Sequence, residues 1–460
     1  MRLPPLCLAL LALSACAATP PRRTAPARPP PAAPSPPSPW RSLEKELLNA
    51  VRDTDFAHVL DWKRQGAPIA ASPNVDVAVI ELDARGRPVA AANVLLSRDY
   101  PRGQLVPIDP RTLGTRQVRF MRWDIDRWDG KKPWYDVPPT EVLVPGQEKA
   151  PLRFMAPYPA SLFKILIAFG VMRRVDRGEL TLDTPYHFFS DREDRGVRPL
   201  RDWLEPMIVE SNNGATEALV KLLHERGEMD ALNAEYAALG LGTLQVNGTS
   251  PVTGRNWQPG SVHMTALDTA RLFLLIQGGP GVLWRTPQGR EVTAAELSES
   301  SRVFLLRLLA EQGYAEGLSS SLVCGDPNVR PGLPVAVPRR WLAEDGTATV
   351  GATAFKRDTR PCNAGAEVEF LHKTGQTENY GSDAGIVQSL PGQPPRRYII
   401  AFLSNLGYRY YDPALAGTAN FSDPENGYPR QVTAIHFTQS IAELGRRVDA
   451  VMKQRGAARR

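Results

Sequence analysis

The sequence predicts a mixed α/β chain, in the α+β sense of helices beside a sheet. Two observations predict it. The runs Val75–Leu82, Val368–Gln376, Asp383–Leu390 and Arg397–Ser404 are short, apolar and β-prone, with Gly392-Gln393-Pro394-Pro395 as a turn between the last two. Between the first of these and the rest, apolar residues recur at helical spacing, from Ser161 to Met172 and again after Gly214.

The elements follow in order. Met1-Arg2, the apolar Leu6–Leu13 and the small Ser14-Ala15-Cys16 read as a secretory signal. Leu13-Ser14-Ala15-Cys16 also matches the bacterial lipobox, so residues 1–15 are expected as a lipoprotein signal peptide with Cys16 lipidated; an ordinary cleaved signal with an incidental Cys is the alternative. The apolar run is too short to span a bilayer. Ala17 stands where an Asp would retain a lipoprotein at the inner membrane, so the exported protein is expected on the periplasmic side, lipid-anchored at the outer membrane. Residues 16–40, dense in Pro and Ala, cannot bury a core and read as an extended tether. Residues 41–455 are expected as the folded domain. Ser42–Gln65 reads as an amphipathic helix capped by Ser42, Val75–Leu82 as a strand, and a second strand follows Gly86-Arg87-Pro88. A final helix is expected over about Gln431–Met452.

Three short motifs carry chemistry: Ser161-Leu162-Phe163-Lys164, Ser211-Asn212-Asn213 and Lys373-Thr374-Gly375. Ser42-Leu43-Glu44-Lys45 has the first spacing too, but in a charged amphipathic stretch. Ser161 instead opens a helix that is apolar nearly all round and should be buried. Lysine is costly there unless it has partners or work to do. Residues i and i+3 share a helix face, which places Lys164 one turn from Ser161. Apolar surroundings pull an amine's pKa down, fitting it to take the serine proton. The bland reading is a capping Ser on a core helix, with Lys164 reaching to the surface. Ser211-Asn212-Asn213 reads blandly as a turn and N-cap. The run before Lys373 has strand character, and Gly375 lets backbone approach a ligand closely.

In this order the motifs resemble the penicillin-binding serine hydrolases, closest in layout to class A β-lactamases. The resemblance spans about Leu43–Met452. It implies an antiparallel β-sheet flanked by helices plus an all-helical lobe, with the active site between them and a meander of three late strands. It implies roles as well: Ser161 as nucleophile, Lys164 as its base, Ser211 relaying a proton to the leaving group, and Asn213 bonding Lys164 and the substrate amide carbonyl. Lys373 and Thr374 would bind the substrate carboxylate, with Gly375 leaving room. The backbone N–H groups of Ser161 and Gln376 would form the oxyanion hole. Asn212 stands where the pattern usually has Asp, in a structural role. Insertions are expected near 97–155, 278–366 and 407–428. The first holds Trp123, Asp124, Asp126, Trp128, Asp129, Trp134 and Tyr135, which either line a groove or pack the insertion onto its own domain.

One expected piece is missing. Class A enzymes carry a Glu on a loop after the middle motif that activates the deacylating water. Here no Asp or Glu occurs between Glu235 and Asp268, and a general base must reach its proton directly or through one water. Slow hydrolysis of an acyl-enzyme, or resolution by Lys164 as in DD-peptidases, follows.

The net charge of +6 over 460 residues permits contact with anionic cell-wall polymer without demanding it. No nucleic-acid module is visible, and the six His lack ligand spacing; His372 reads as a structural strand residue. No cofactor is expected. With Cys7 and Cys16 set aside, Cys324 and Cys362 pair as one disulfide in an exported protein, free buried thiols being the alternative. The partners expected are a β-lactam or D-alanyl peptide of peptidoglycan and a membrane reached through the lipid anchor, for a monomer. The functions in competition are a serine hydrolase of the β-lactamase kind, a DD-carboxypeptidase, and a non-catalytic cell-wall-binding lipoprotein.

Overall fold

The computed structural model describes residues 38–123, 140–191, 193–326, 329–415 and 440–459. The signal, Cys16, most of the tether, Asp124–Tyr135 and residues 416–439 lie outside them.

A six-stranded sheet organises the domain. Its strands are β1 (Val75–Leu82), β2 (Pro88–Ser97), β3 (Tyr100–Leu105), β6 (Val368–Gln376), β7 (Gly381–Ser389) and β8 (Arg397–Ser404), while β4 (Val118–Met121) and β5 (Leu152–Met155) pair separately. The order is β6-β7-β8-β1-β2-β3, antiparallel throughout. Three of the expected strands have the predicted bounds; β7 begins two residues early, at Gly381, because its pairing with β6 runs to Gln376.

Both faces of the sheet are covered, which explains why β1 is buried along its whole length. Side chains alternate across a strand. Val75, Val77 and Val79 join one core with Leu43 and Leu47 of α1 (Pro39–Asp53) and Leu444 and Val448 of α9 (Ser440–Ala458). Ala78, Ile80 and Leu82 join the other, with the helical lobe. That lobe comprises α2 (Lys164–Asp176), α3 (Leu200–Val209), α4 (Asn213–Glu225), α5 (Met229–Ala238), α6 (Ala266–Gln277) and α7 (Glu299–Ala310). A buried contact ties lobe to sheet: Asp76 Oδ2 accepts from the Ala266 N–H at the start of α6, at 2.8 Å. Burial pushes the Asp76 carboxyl up to about 6, against the pull of the Ala266 and Asn93 hydrogen bonds.

The first helix corrects the sequence reading. It starts at Pro39 and its cap is Ser38, whose side chain accepts from Arg41 N; proline suits the first helical turn, where its missing N–H costs nothing. Ser42 lies inside the helix, donating to Glu46 at 2.8 Å. The helix ends at Asp53, not Gln65, because Thr54 turns extended and returns its hydroxyl to Ala50 O. Leu60–Asp61 then pairs with Ala67–Pro68 and with Tyr410–Tyr411.

The described residues of the expected insertions pack onto the rest of the domain. Phe120 and Phe154 meet edge to face in a small core with Leu95, Val106 and Leu143. Trp123 is buried edge-on against Tyr380, 6.1 Å between ring centres. In the second insertion Cys324 and Cys362 are disulfide-bonded, with Cα atoms 5.9 Å apart; Cys362 lies in α8 (Arg360–Ala364). The described start of the third is pinned by Arg409, which forks onto both oxygens of buried Asp61 at 2.8 Å each.

Candidate active site

The nucleophile candidate lies where a tight turn enters a buried helix. Ala160–Phe163 form a 3₁₀ turn that runs directly into α2. Ala160 has φ +48°, a left-handed conformation that costs a non-glycine residue about 1–3 kcal/mol. The packing that holds it comes from β6 and β7. Ser382 Oγ donates to Pro159 O at 2.6 Å and lies 3.2 Å from Gly375 O. A side chain at Gly375 would sit 2.3 Å from Pro159 O and 2.6 Å from Leu162 N. Only glycine lets the strand lie this close to the turn that carries Ser161.

Lys164 is fully buried at the first position of α2. Its Nζ donates to Ser211 O at 2.5 Å, Asn213 Oδ1 at 2.7 Å and Ser211 Oγ at 3.3 Å. The expected bond to Ser161 is not among these. Ser161 sits on the 3₁₀ segment ahead of the helix, and the amine reaches to the Ser211–Asn213 turn instead. Burial above all, then the charge of Lys373, holds its pKa well below the ordinary lysine range, while Glu217 pulls it back up.

The second motif joins α3 to α4. Ser211 has φ +57°, which turns both its carbonyl and its hydroxyl to the lysines. Asn212 caps α4, its side chain accepting from Ala215 N at 2.9 Å; an amide oxygen does here what a carboxylate would. Asn213 then opens the helix beside Lys164.

Lys373 approaches from β6. It is fully buried, and its Nζ donates to Ser211 Oγ and to Thr374 O, both at 2.8 Å. Burial lowers its pKa to about 7, against the opposing charge of Asp383. Thr374 and Gly375 follow on the same strand, opposite Asp383 and Ser382. Gln376 closes it, its side chain donating to Glu316 Oε1 at 3.0 Å. Burial pushes the Glu316 carboxyl up to about 8, against that hydrogen bond. His372 stacks on Phe370 with ring centres 4.2 Å apart, and its Nδ1 lies 2.8 Å from Asp383 Oδ1.

The acid-free loop lies against this cluster. Trp257 packs on Phe163, 5.2 Å between rings, and its carbonyl accepts from Tyr158 Oη at 3.0 Å. A side chain at Gly254 would fall 2.0 Å from Glu217 O. Arg255 Nε meets Glu217 Oε1 at 2.9 Å.

The structure thus brings Ser211 and Asn213 together with Lys164 and Lys373, and seats the Ser161 turn against Gly375. Residues 156–336, which include the first two motifs, match the model described as the beta-lactamase enzyme family. That stretch of the chain is similar to the family. The antiparallel sheet with flanking helices and the helical lobe are the architecture that the sequence reading expects. No curated protein matches. Solved structures similar to it include a β-lactamase from Chitinophaga pinensis DSM 2588, at 19% identity over 64% of this chain and 86% of that one, with a TM-score of 0.38. PBP-A is similar at 16% identity over 91% of this chain and 99% of that one, TM-score 0.45. An ancestral class A β-lactamase (GNCA) is similar at 15% identity over 89% and 99%, TM-score 0.42.

Sequence reasoning missed four residues packed at or beside this cluster. Ser382 and Tyr158 act through packing that no motif encodes. Glu316 lies 60 residues before Gln376, its partner. Glu217 stood in plain view one turn after Asn213, and its spacing was the signal available.

Proposed function

We propose that this protein is an active-site serine hydrolase that acylates on β-lactams or D-alanyl peptides through Ser161 and releases the product slowly. The observation that carries the reading is the meeting of Lys164 and Lys373 at Ser211, with Asn213 bonded to Lys164, beside the turn that bears Ser161. Burial holds the Lys164 pKa well below the ordinary lysine range, which favours the neutral amine that accepts a proton. In the proposed acylation Lys164 takes the Ser161 hydroxyl proton as Oγ bonds to the substrate carbonyl carbon. The amide C–N bond then breaks, and Ser211 passes a proton to the leaving nitrogen. Lys373 and Thr374 hold the substrate carboxylate, and the Ser161 and Gln376 N–H groups stabilise the oxyanion. In deacylation water attacks the ester carbon and the bond to Oγ breaks, returning the proton to Ser161.

The acid-free loop from Leu244 to Gln258 favours slow release, and with it the DD-carboxypeptidase form of the same chemistry. Anchoring through Cys16 on the exported side completes the proposal; loss of palmitate labelling in Cys16→Ser checks it. Intact-mass spectrometry after incubation with a penicillin tests the reaction. The expected result is one penicilloyl adduct that maps to Ser161 and is absent in Ser161→Ala. A wild-type protein that neither forms an adduct nor hydrolyses the drug overturns the proposal in favour of a binding lipoprotein, and equal labelling of Ser161→Ala overturns the nucleophile.

A further inference from the structure

A cleft of about 500 Å³ opens beside the Ser211–Asn213 turn, between α3, the start of α4 and the hairpin formed by Pro185–Phe189 and Asp194–Pro199. The hairpin is fixed in place. Its Tyr186 and Phe188 are buried, and Phe188 meets Trp203 of α3 edge to face, 5.8 Å between ring centres. Lys221 of α4 donates to Phe189 O at 3.0 Å, and Asp191 at the hairpin tip meets Arg255 of the acid-free loop at 3.0 Å.

Two guanidinium groups of the hairpin line this cleft with donors to spare. Arg198 lies over the Trp203 ring, 4.8 Å from its centre, and has no hydrogen bond or ion pair among the described residues. Arg195 leans over the start of α4. A side chain at Gly214 would fall 2.5 Å from its Nη1, so the glycine after Asn213 leaves the room that the guanidinium occupies. Its Nη2 meets Glu193 at 2.6 Å, while Nη1 and Nε have no hydrogen-bond partner among the described residues. Two carboxylates line the same cleft, Asp202 in the first turn of α3 and Glu210 just before Ser211, and neither has an ion-pair partner among the described residues. Glu205, also in the lining, is taken by Arg340 at 2.8 Å. The cleft thus offers free charges of both signs. A bare carboxylate would meet the acids and a bare amine the arginines; a group that carries both charges finds partners for both.

We propose that this cleft is a subsite for a zwitterionic side group of the substrate, its carboxylate paired with Arg195 and Arg198 and its ammonium with Asp202 and Glu210. The inference rests on the serine-hydrolase reading for its placement: Asn213 would bond the substrate amide carbonyl, and the acyl chain beyond that carbonyl then passes Gly214 into the cleft. The four residues set which acyl chain is accepted and take no part in breaking the amide bond.

Three cephalosporins that share one nucleus make the test. Cephalosporin C has a D-α-aminoadipyl chain that ends in an ammonium and a carboxylate. Glutaryl-7-aminocephalosporanic acid keeps the carboxylate alone, and cephalothin has a neutral chain. Rates of adduct formation at Ser161 of the full chain are read by quenched intact-mass spectrometry below saturation. Cephalosporin C is expected to react roughly tenfold faster than cephalothin or more, with the glutaryl compound behind cephalosporin C. That ratio should collapse when Arg195→Gln and Arg198→Gln are combined, and Asp202→Asn with Glu210→Gln should remove the lead of cephalosporin C over the glutaryl compound. Equal wild-type rates for cephalosporin C and cephalothin overturn the proposal, as does a ratio that survives the loss of both arginines. An equal loss of rate for all three compounds traces the effect to packing and overturns it too. If the double arginine variant does not fold, Arg195→Gln alone must lower the ratio or the proposal is lost. If no compound forms an adduct, the hydrolase reading fails and calorimetry decides this one: cephalosporin C must bind the wild type more tightly than cephalothin, and the arginine variant must abolish the difference.

Discussion

Lys164 and Lys373 both donate to the hydroxyl of Ser211, at 3.3 and 2.8 Å. Two ammonium groups sharing one oxygen repel, and both are buried, so the arrangement disfavours double protonation and leaves an amine free to act as base.

Lys373 should cost stability below neutrality. Its pKa is about 7 in the folded chain against 10.5 when exposed. Between these values the unfolded chain binds more protons, so stability should rise with pH across the window, and the full cost is present below pH 7. Lys373→Met is therefore expected to unfold later than wild type at pH 6, by about 1–4 kcal/mol, with the gain fading towards pH 10. Denaturant titrations across that range check it; a variant less stable than wild type at pH 6 would contradict it.

Glu316 should act with the opposite sign. Its carboxyl titrates at about 8 in the folded chain and near 4.5 when exposed. The folded chain binds more protons between these values, so stability is greatest below about 4.5 and declines as pH rises through 8. Glu316→Gln, which keeps an acceptor for the Gln376 amide, should remove that decline. Thermal melts of both proteins at pH 5 and pH 8.5 make the comparison, and parallel shifts would refute the assignment.

Turnover of penicillin should be limited by deacylation. Losing a carboxylate base typically costs about 10²–10⁴-fold, and the loop from Leu244 to Gln258 has none to offer. Stopped-flow kinetics should show a burst of one equivalent followed by slow release. Linear hydrolysis with no detectable adduct would mean another group activates the water.

The Cys324–Cys362 bond closes a loop between residues 38 apart. On the loop-entropy model it stabilises the chain by about 3–4 kcal/mol. Cys324→Ser with Cys362→Ser should lower stability by that order, and thiol titration of the unreduced protein should find neither cysteine reactive.

Much of this arrangement was legible in the chain itself. The order of the three motifs, the bounds of β1, β6 and β8, and the burial of α2 follow from local residue types, because strand pairing and helix burial leave a period in the sequence. Ser211-Asn212-Asn213 reads as a turn and N-cap, and within it Asn212 caps α4. Ser42 read as a cap and is not one, since Ser38-Pro39 offers a better start four residues earlier.

Local residue patterns set which chemical groups the site contains and which elements carry them. What each group touches follows from how those elements pack. Lys164 bonds Ser211 and Asn213 rather than Ser161, because α3 and α4 pack the turn between them against the start of α2. The acid-free loop is seated on α4, where Gly254 packs on the Glu217 backbone and Arg255 meets its carboxylate. Gly375 meets the Ser161 turn across more than 200 residues of chain. Spacing along a helix or strand is a local property with a fixed rise per residue. The distance between side chains on different elements depends on how those elements pack, and no period in the sequence records it.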